Sequence, residues 1–431
     1  MRQLSLLLVA ILSGCAFDGS APFFPGQGGT GTLVRPDSAV LVDPEARYVW
    51  VVHDTSLTAV SISSGSVEPL YALENLSQRR LAFLPDDVAL LVAEDAGGCP
   101  YETAACTRVA RLQTDPAADG GAVRWEGSNF AFAIQSPSGR LVALSGGNYG
   151  SGAFVVDASL DLRPIQWDVL PGGVGWSRCR PDEPCDERLW TVGSEAIHSW
   201  SVSSGVLAPD PDLTYDTACD ALFWGASVAA SKDGRWVALT CGGAFTLFDA
   251  DSRKFRATGF HGPVAFAGHT IVGHDRVDEN DDGDSSACLR FIDPLTRESQ
   301  LQCFGDSSFS YYVSEDGGYV LVSTGDALFV VEVGTGFANQ TSETLEILGG
   351  EFIERPGAGQ VWAAAGGMLV VVDFAAALIG TGGDVAAIPM PFPVDHLNLI
   401  PGQDRLAILS SDSTIALVSM VTGSAELIAL P

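Results

Sequence analysis

From Asp37 onward, short apolar runs alternate with turn-forming clusters, and the alternation itself repeats. One recurring element is a turn between two apolar runs: VDPEARYVWVV from Val42, LPDDVALLVA from Leu84, SPSGRLVALS from Ser136, SKDGRWVALT from Ser231, SEDGGYVLVS from Ser314, RPGAGQVWAAA from Arg355 and IPGQDRLAILS from Ile400. Pro, Asp, Lys or Glu leading into Gly is tight-turn chemistry, and the Val, Leu, Trp and Tyr that follow are strand formers, so each copy predicts a β-hairpin. A second element lies about 15 to 25 residues further on: VSISSG from Val60, WSVSSG from Trp200, VEVGTG from Val331 and VSMVTG from Val418, with variants VVDASL from Val155, LFDADS from Leu247, FIDPLT from Phe291 and VVDFAA from Val371. Here an apolar strand ends in Asp, Ser or Gly, where a side-chain oxygen starts the next turn, and a second hairpin is predicted.

Two hairpins make a four-stranded antiparallel unit. With weaker copies around Arg180 and Gly268 there are nine units, which share residues 37–431 at about 44 residues each. A period of about 40 to 50 with four strands per repeat predicts an all-β chain folded as a single β-propeller. Repeat lengths run from about 35 to 52, so nine units predict seven to nine blades, and a two-sheet β-sandwich array is the alternative. Strands such as LLVA at Leu90 and MLVVVD at Met368 are apolar on consecutive residues, as strands buried on both faces are. Helical periodicity is scarce; FAAALIG from Phe374 is compatible with one turn of helix.

These repeats resemble propellers of the WD-repeat and YVTN type, including bacterial forms whose blades carry SPDGR before an apolar strand and then VxDxxTG. The resemblance covers about nine-tenths of the chain and implies the fold while leaving function open. The chain departs from that group in lacking a repeated Gly-His and Trp-Asp signature.

Ahead of the repeats, residues 1–14 read MRQLSLLLVAILSG, with one charge at Arg2 and an apolar run from Leu4 to Leu12. Such a run rises roughly 14 Å as a helix, about half the thickness of a bilayer core, which marks a secretory signal and not a span. Leu12, Ser13, Gly14 and Cys15 resemble the bacterial lipobox, which implies cleavage before Cys15 and a diacylglycerol (palmitate-type) anchor on its thiol. In Gram-negative sorting an Asp after the cysteine retains a lipoprotein in the inner membrane; Ala16 stands there, so the resemblance implies the outer membrane, with the domain in the periplasm or at the cell surface. Residues 15–36, rich in Gly and Pro, form a tether with a root-mean-square reach of roughly 25 Å. The expected organisation is signal peptide 1–14, lipidated cysteine and tether 15–36, and propeller 37–431.

Charge narrows the partners. With 53 acids against 23 bases the net charge is −30, which repels a polyphosphate backbone and excludes nucleic acid. Beyond Cys15, eight cysteines fall in sequence-adjacent pairs: Cys99 with Cys106, Cys179 with Cys185, Cys219 with Cys241, and Cys288 with Cys303. An even count in an exported chain predicts disulfides. For Cys288 and Cys303 a hairpin centred between residues 295 and 296 places the two directly opposite each other, at a Cα separation of about 4.5 to 5.5 Å. No spacing is CxxC, and His261, His269 and His274 stand apart from the thiols, so zinc is not expected.

The most distinctive loop is HDRVDENDDGDSSAC, from His274 to Cys288. Asp278, Asn280, Asp282 and Gly283 match the DxNxDG opening of calcium loops, and Asp284 adds a further oxygen ligand. The closing positions fail: the twelfth is Leu289 and the ninth is Ser286. The choice is therefore between a weak, millimolar calcium site and a solvated acidic loop, with the loop favoured; no other cofactor is expected. The run SGGNYGSG from Ser145 lacks a following Lys and opens no helix, so it is a blade loop and not a phosphate cradle. Neither a G-x-S-x-G elbow nor an H-E-x-x-H helix occurs.

The expectation is a membrane-tethered, noncatalytic binding or scaffold propeller, a monomer whose partner is an envelope protein or glycan. The alternatives are a hydrolase or lyase whose acids converge in the central channel, and a role in envelope assembly by analogy with other propeller lipoproteins.

Overall fold

Each turn of the first kind folds the first strand of a sheet back into its second, and each of the second kind joins the third strand to the fourth. The computed structural model describes residues 39–43, 45–53, 56–72, 76–84, 88–95, 106–113, 123–126, 130–146, 152–157, 159, 161–166, 168–216, 227–231, 233–241, 244–261, 264–278, 285–304, 309–314, 316–324, 327–341, 352–355, 357–365, 367–380, 384–394, 396–400, 402–410 and 414–430. Among them are nine antiparallel sheets, each made of consecutive strands paired in chain order. Blades one to nine occupy residues 39–72, 76–126, 130–166, 169–216, 227–261, 264–303, 309–340, 352–389 and 396–429. The fourth blade adds a short fifth strand, Tyr215–Asp216, on its strand Ala196–Ser203. The fold is an all-β propeller, and the nine repeats become nine blades.

The first strands of successive blades touch one another around the axis, while the fourth strands are the most exposed. Blades therefore stand radially, and both faces of each are covered by neighbours. In blade seven, strand Tyr319–Thr324 sends Val320 and Val322 into the core shared with blade six and Leu321 into the core shared with blade eight. This two-sided burial is why the run is apolar on consecutive residues. Each such side chain contributes roughly 1.5 to 3 kcal/mol when fully buried.

The ring closes between the last blade and the first. Val40, Val42, Val49 and Val51 share one core with Ala407, Leu409, Ile415 and Leu417. Each sheet is a single continuous stretch of chain, so the seam holds by side-chain packing and not by a strand exchanged between the termini.

The only α-helix among the described residues, Phe374–Ile379, joins the third and fourth strands of blade eight. Asp373 caps it by accepting from the Ala376 N–H at 2.9 Å, and Gly380 ends it in the left-handed region at φ 66°. No helix among the described residues is long and apolar enough to cross a membrane.

Candidate functional surfaces

Two of the expected disulfides are present among the described residues. Cys288 and Cys303 are register partners on adjacent strands with Cα atoms 4.0 Å apart. The neighbouring pair is hydrogen bonded, Phe304 N donating to Ala287 O at 3.0 Å. The cysteines therefore occupy the non-hydrogen-bonded site, where side chains approach most closely. Cys179 and Cys185 close the turn between the first two strands of blade four, with Cα atoms 5.9 Å apart. Glu183 lies beside that bridge, but both sulfurs are bonded to each other and neither is available as a thiolate ligand.

Cys15, Cys99, Cys219, Asn280, Asp282 and Asp284 lie outside the described residues. Asp278 ends strand Thr270–Asp278, Cys106 begins strand Cys106–Gln113 and Cys241 ends strand Trp236–Cys241; the side chains of these three also lie outside the described set.

Because the strands alternate in direction, the first-to-second turns and third-to-fourth turns of every blade emerge on one face of the ring. The repeated Ser-x-Asp-Gly turn has a common wiring there. Ser231 Oγ donates to Asp233 Oδ1 at 2.7 Å and accepts from Trp236 N at 2.9 Å. Ser314 Oγ makes the same pair of bonds with Asp316 and Tyr319, at 2.7 and 2.9 Å. Gly234 sits at φ 70°, and a Cβ there would lie 2.3 Å from the Arg178 carbonyl oxygen of the preceding blade. The glycine thus serves both the turn and the close approach of two blades.

Charged groups concentrate on this face over blades four to six. Arg180, beside the disulfide, reaches Asp251 at 3.1 Å and Asp233 at 3.7 Å on blade five. Arg235 meets Asp251 at 3.0 Å, and Arg256 meets Asp249 at 3.0 Å. The guanidinium groups of Arg235 and Arg256 lie 5.0 and 5.8 Å from the ring centre of buried Trp236. Buried Arg188 pairs with Glu183 at 3.2 Å and Asp210 at 3.6 Å, and His269 of blade six stands 3.6 Å from Asp233. Burial opposes ionisation of Asp233, yet hydrogen bonds from Ser231 and the Arg235 N–H, with the charges of His269 and Arg180, hold its carboxyl below the ordinary range. On the other flank, Ser138 of blade three donates from its N–H and hydroxyl to Glu187 of blade four at 2.9 and 3.0 Å. These carboxylates are engaged by arginines, serines and backbone amides, an arrangement suited to locking blades together and not to moving protons.

The innermost strands carry few carboxylates, beside Arg79, Arg80, Arg178, Arg355 and His396. Their nine sequences contain one carboxylate, Glu354, which accepts from the buried Tyr312 hydroxyl at 3.4 Å. Tyr311 packs its hydroxyl against the blade-six carbonyl of Val272 at 3.4 Å, and burial pushes its phenol well up. Of the three histidines noted in the sequence, His261 ends an outermost strand, His274 lies within a second strand and His269 is an exposed turn residue. The interblade ion pairs escape sequence reading because Arg180 and Asp251 belong to different blades, and only the ring brings them together.

No family model matches the chain, and no curated protein matches it. Among solved structures it is similar to a dihydro-heme d1 dehydrogenase, NirN, at 14% identity and a TM-score of 0.41, covering 68% of this chain and 63% of that one. It is also similar to a chain of a mitotic checkpoint complex, at 14% identity and a TM-score of 0.38, covering 61% of this chain and 83% of that one. The chain therefore spans less than two thirds of the length of the first of these, and likeness of this degree assigns it no activity.

Proposed function

We propose that this chain is a membrane-tethered, noncatalytic binding or scaffold propeller of the bacterial cell envelope, held by lipid on Cys15. What supports the reading is the makeup of the innermost strands among the described residues, where Glu354 is the one carboxylate beside Arg79, Arg80, Arg178, Arg355 and His396, so the strands themselves do not supply a carboxylate pair for general acid-base work. The pairs of Arg180 with Asp233 and Asp251 and of His269 with Asp233 support the same reading, since they tie neighbouring blades to one another. The lipobox match at Leu12 to Cys15 supports the anchor, and Ala16 supports the outer membrane. Cys15→Ala should move the protein from the detergent phase to the aqueous phase and abolish labelling by a clickable palmitate; unchanged partitioning would remove the anchor from the proposal.

A weak calcium site at Asp278, Asn280, Asp282 and Asp284 belongs to the same proposal on sequence grounds alone. Millimolar calcium should raise the melting temperature slightly, and Asp282→Ala should cancel the rise. Identical curves in calcium and in chelator leave a solvated acidic loop.

A further inference from the structure

We propose that the third-to-fourth-strand connections of blades six to nine form a docking rim for a protein segment that presents apolar side chains between basic ones; this rests on reading the chain as a binding propeller. Among the described residues, the large exposed apolar side chains are Val206, Leu295, Leu301, Phe337, Ile379, Val421 and Leu427. All except Val206 belong to these four consecutive blades. Leu295, Phe337, Ile379 and Val421 follow one another at intervals of 42 residues, one to each connection, and are 57%, 55%, 73% and 63% exposed. The same connections in blades one and five carry Ser63 with Ser64, and Ser252 with Arg253.

Apolar residues scattered singly on a surface need no explanation, whereas a contiguous group marks an interaction site. Here each connection is held to the neighbouring blade, twice by a side chain of that blade's fourth strand. Gln300 of blade six donates to the Gly334 carbonyl of blade seven at 3.3 Å, and Asn339 of blade seven donates to the Ala377 carbonyl in the blade-eight helix at 2.7 Å. Gly423 of blade nine is packed so closely on Ile388 of blade eight that a Cβ would lie 3.1 Å from its Cδ1. The four apolar groups thus stand on supports tied to one another, so little order has to be gained on binding.

Two features identify the occupant. The rim carries Asp293, Glu298, Glu332 and Glu426 around the apolar groups against Arg297 and Arg405, the latter paired with Glu426 at 3.2 Å, so acids exceed bases there by two. Backbone N–H groups of Leu295 and Thr296 hold the Asp293 carboxyl low and ionised. Such a surface repels anionic headgroups and a second copy of a chain with net charge −30, and attracts a cationic segment. Position agrees: strand Ala39–Val42 runs towards the turn at 43–47, so the chain before Ala39 joins the ring at the face opposite the rim.

The test places benzoylphenylalanine singly at Phe337 and Ile379 of the full-length chain in cells, with Ser63, Arg140 and Ser252 as controls on other blades. Irradiation should join both rim positions to one protein whose crosslinked peptide carries Lys or Arg beside apolar residues. Glu298→Lys with Glu332→Lys should cut the yield at least about fivefold, the effect of removing two favourable charges from an interface, while leaving the melting temperature unchanged. Adducts to phospholipid, adducts to a second copy, or a yield untouched by charge reversal would overturn the proposal. Protein adducts from the controls with none from the rim would overturn the rim and leave the binding reading standing; none from any position would overturn both.

Discussion

Asn398, on the innermost strand of the last blade, donates from Nδ2 to the carbonyl oxygen of Val40 on the innermost strand of the first, at 3.1 Å. The bond joins residues 358 positions apart and lies at the seam where the ring closes. Around it the seam is packed with apolar side chains, and this polar contact fixes the register of one terminal blade on the other.

Asn398→Ala should leave the Val40 carbonyl without that donor and lower stability by about 1 to 2 kcal/mol, the typical cost of an orphaned buried acceptor. A fall in the urea midpoint with an unchanged slope is the expected result. An unchanged midpoint would mean that apolar packing holds the seam unaided.

Cys288→Ser with Cys303→Ser should lower the melting temperature by an amount equivalent to about 2 to 3 kcal/mol, because the bridge closes a loop of 15 residues. The Cys179–Cys185 bridge closes only six and should matter less to global stability. Peptide mapping without reduction checks the pairings, and recovery of Cys288 as a free thiol would overturn the first.

Gly234→Ala should be more costly than Gly402→Ala, although both positions have positive φ, 70° and 67°. A Cβ at Gly402 meets nothing within 4 Å, whereas one at Gly234 meets the Arg178 carbonyl. Gly402→Ala costs about 1 to 2 kcal/mol from backbone strain alone, and Gly234→Ala adds the separation of two blades. Paired thermal melts test the ordering.

Asp233 has a lowered carboxyl pKa in the folded chain. Its contribution to stability is therefore present above the ordinary unfolded carboxylate value of about 3.9 and is lost as pH falls through the lower folded value. Asp233→Asn should melt lower than the parent at neutral pH and converge with it in strong acid. Melting temperatures recorded from pH 7 down to pH 2 check this; a gap that persists undiminished at the acid end would assign the effect to packing.

Local chemistry by itself determined the strands, their pairing within a blade and the opposition of Cys288 and Cys303. A strand-turn-strand unit has a side-chain period of two and a register set by its turn, so FIDPLT and the residues flanking it were enough. Consecutive apolar residues such as MLVVVD likewise announced burial on both faces before any neighbour was known. The tertiary structure decided what happens between blades. That nine repeats close as nine blades, that Asn398 meets Val40, that Arg180 finds Asp251, and that four exposed apolar residues share one rim all depend on the angle between adjacent sheets. That angle is the sum of many packing contacts between residues far apart in the chain, and no short stretch of sequence encodes it.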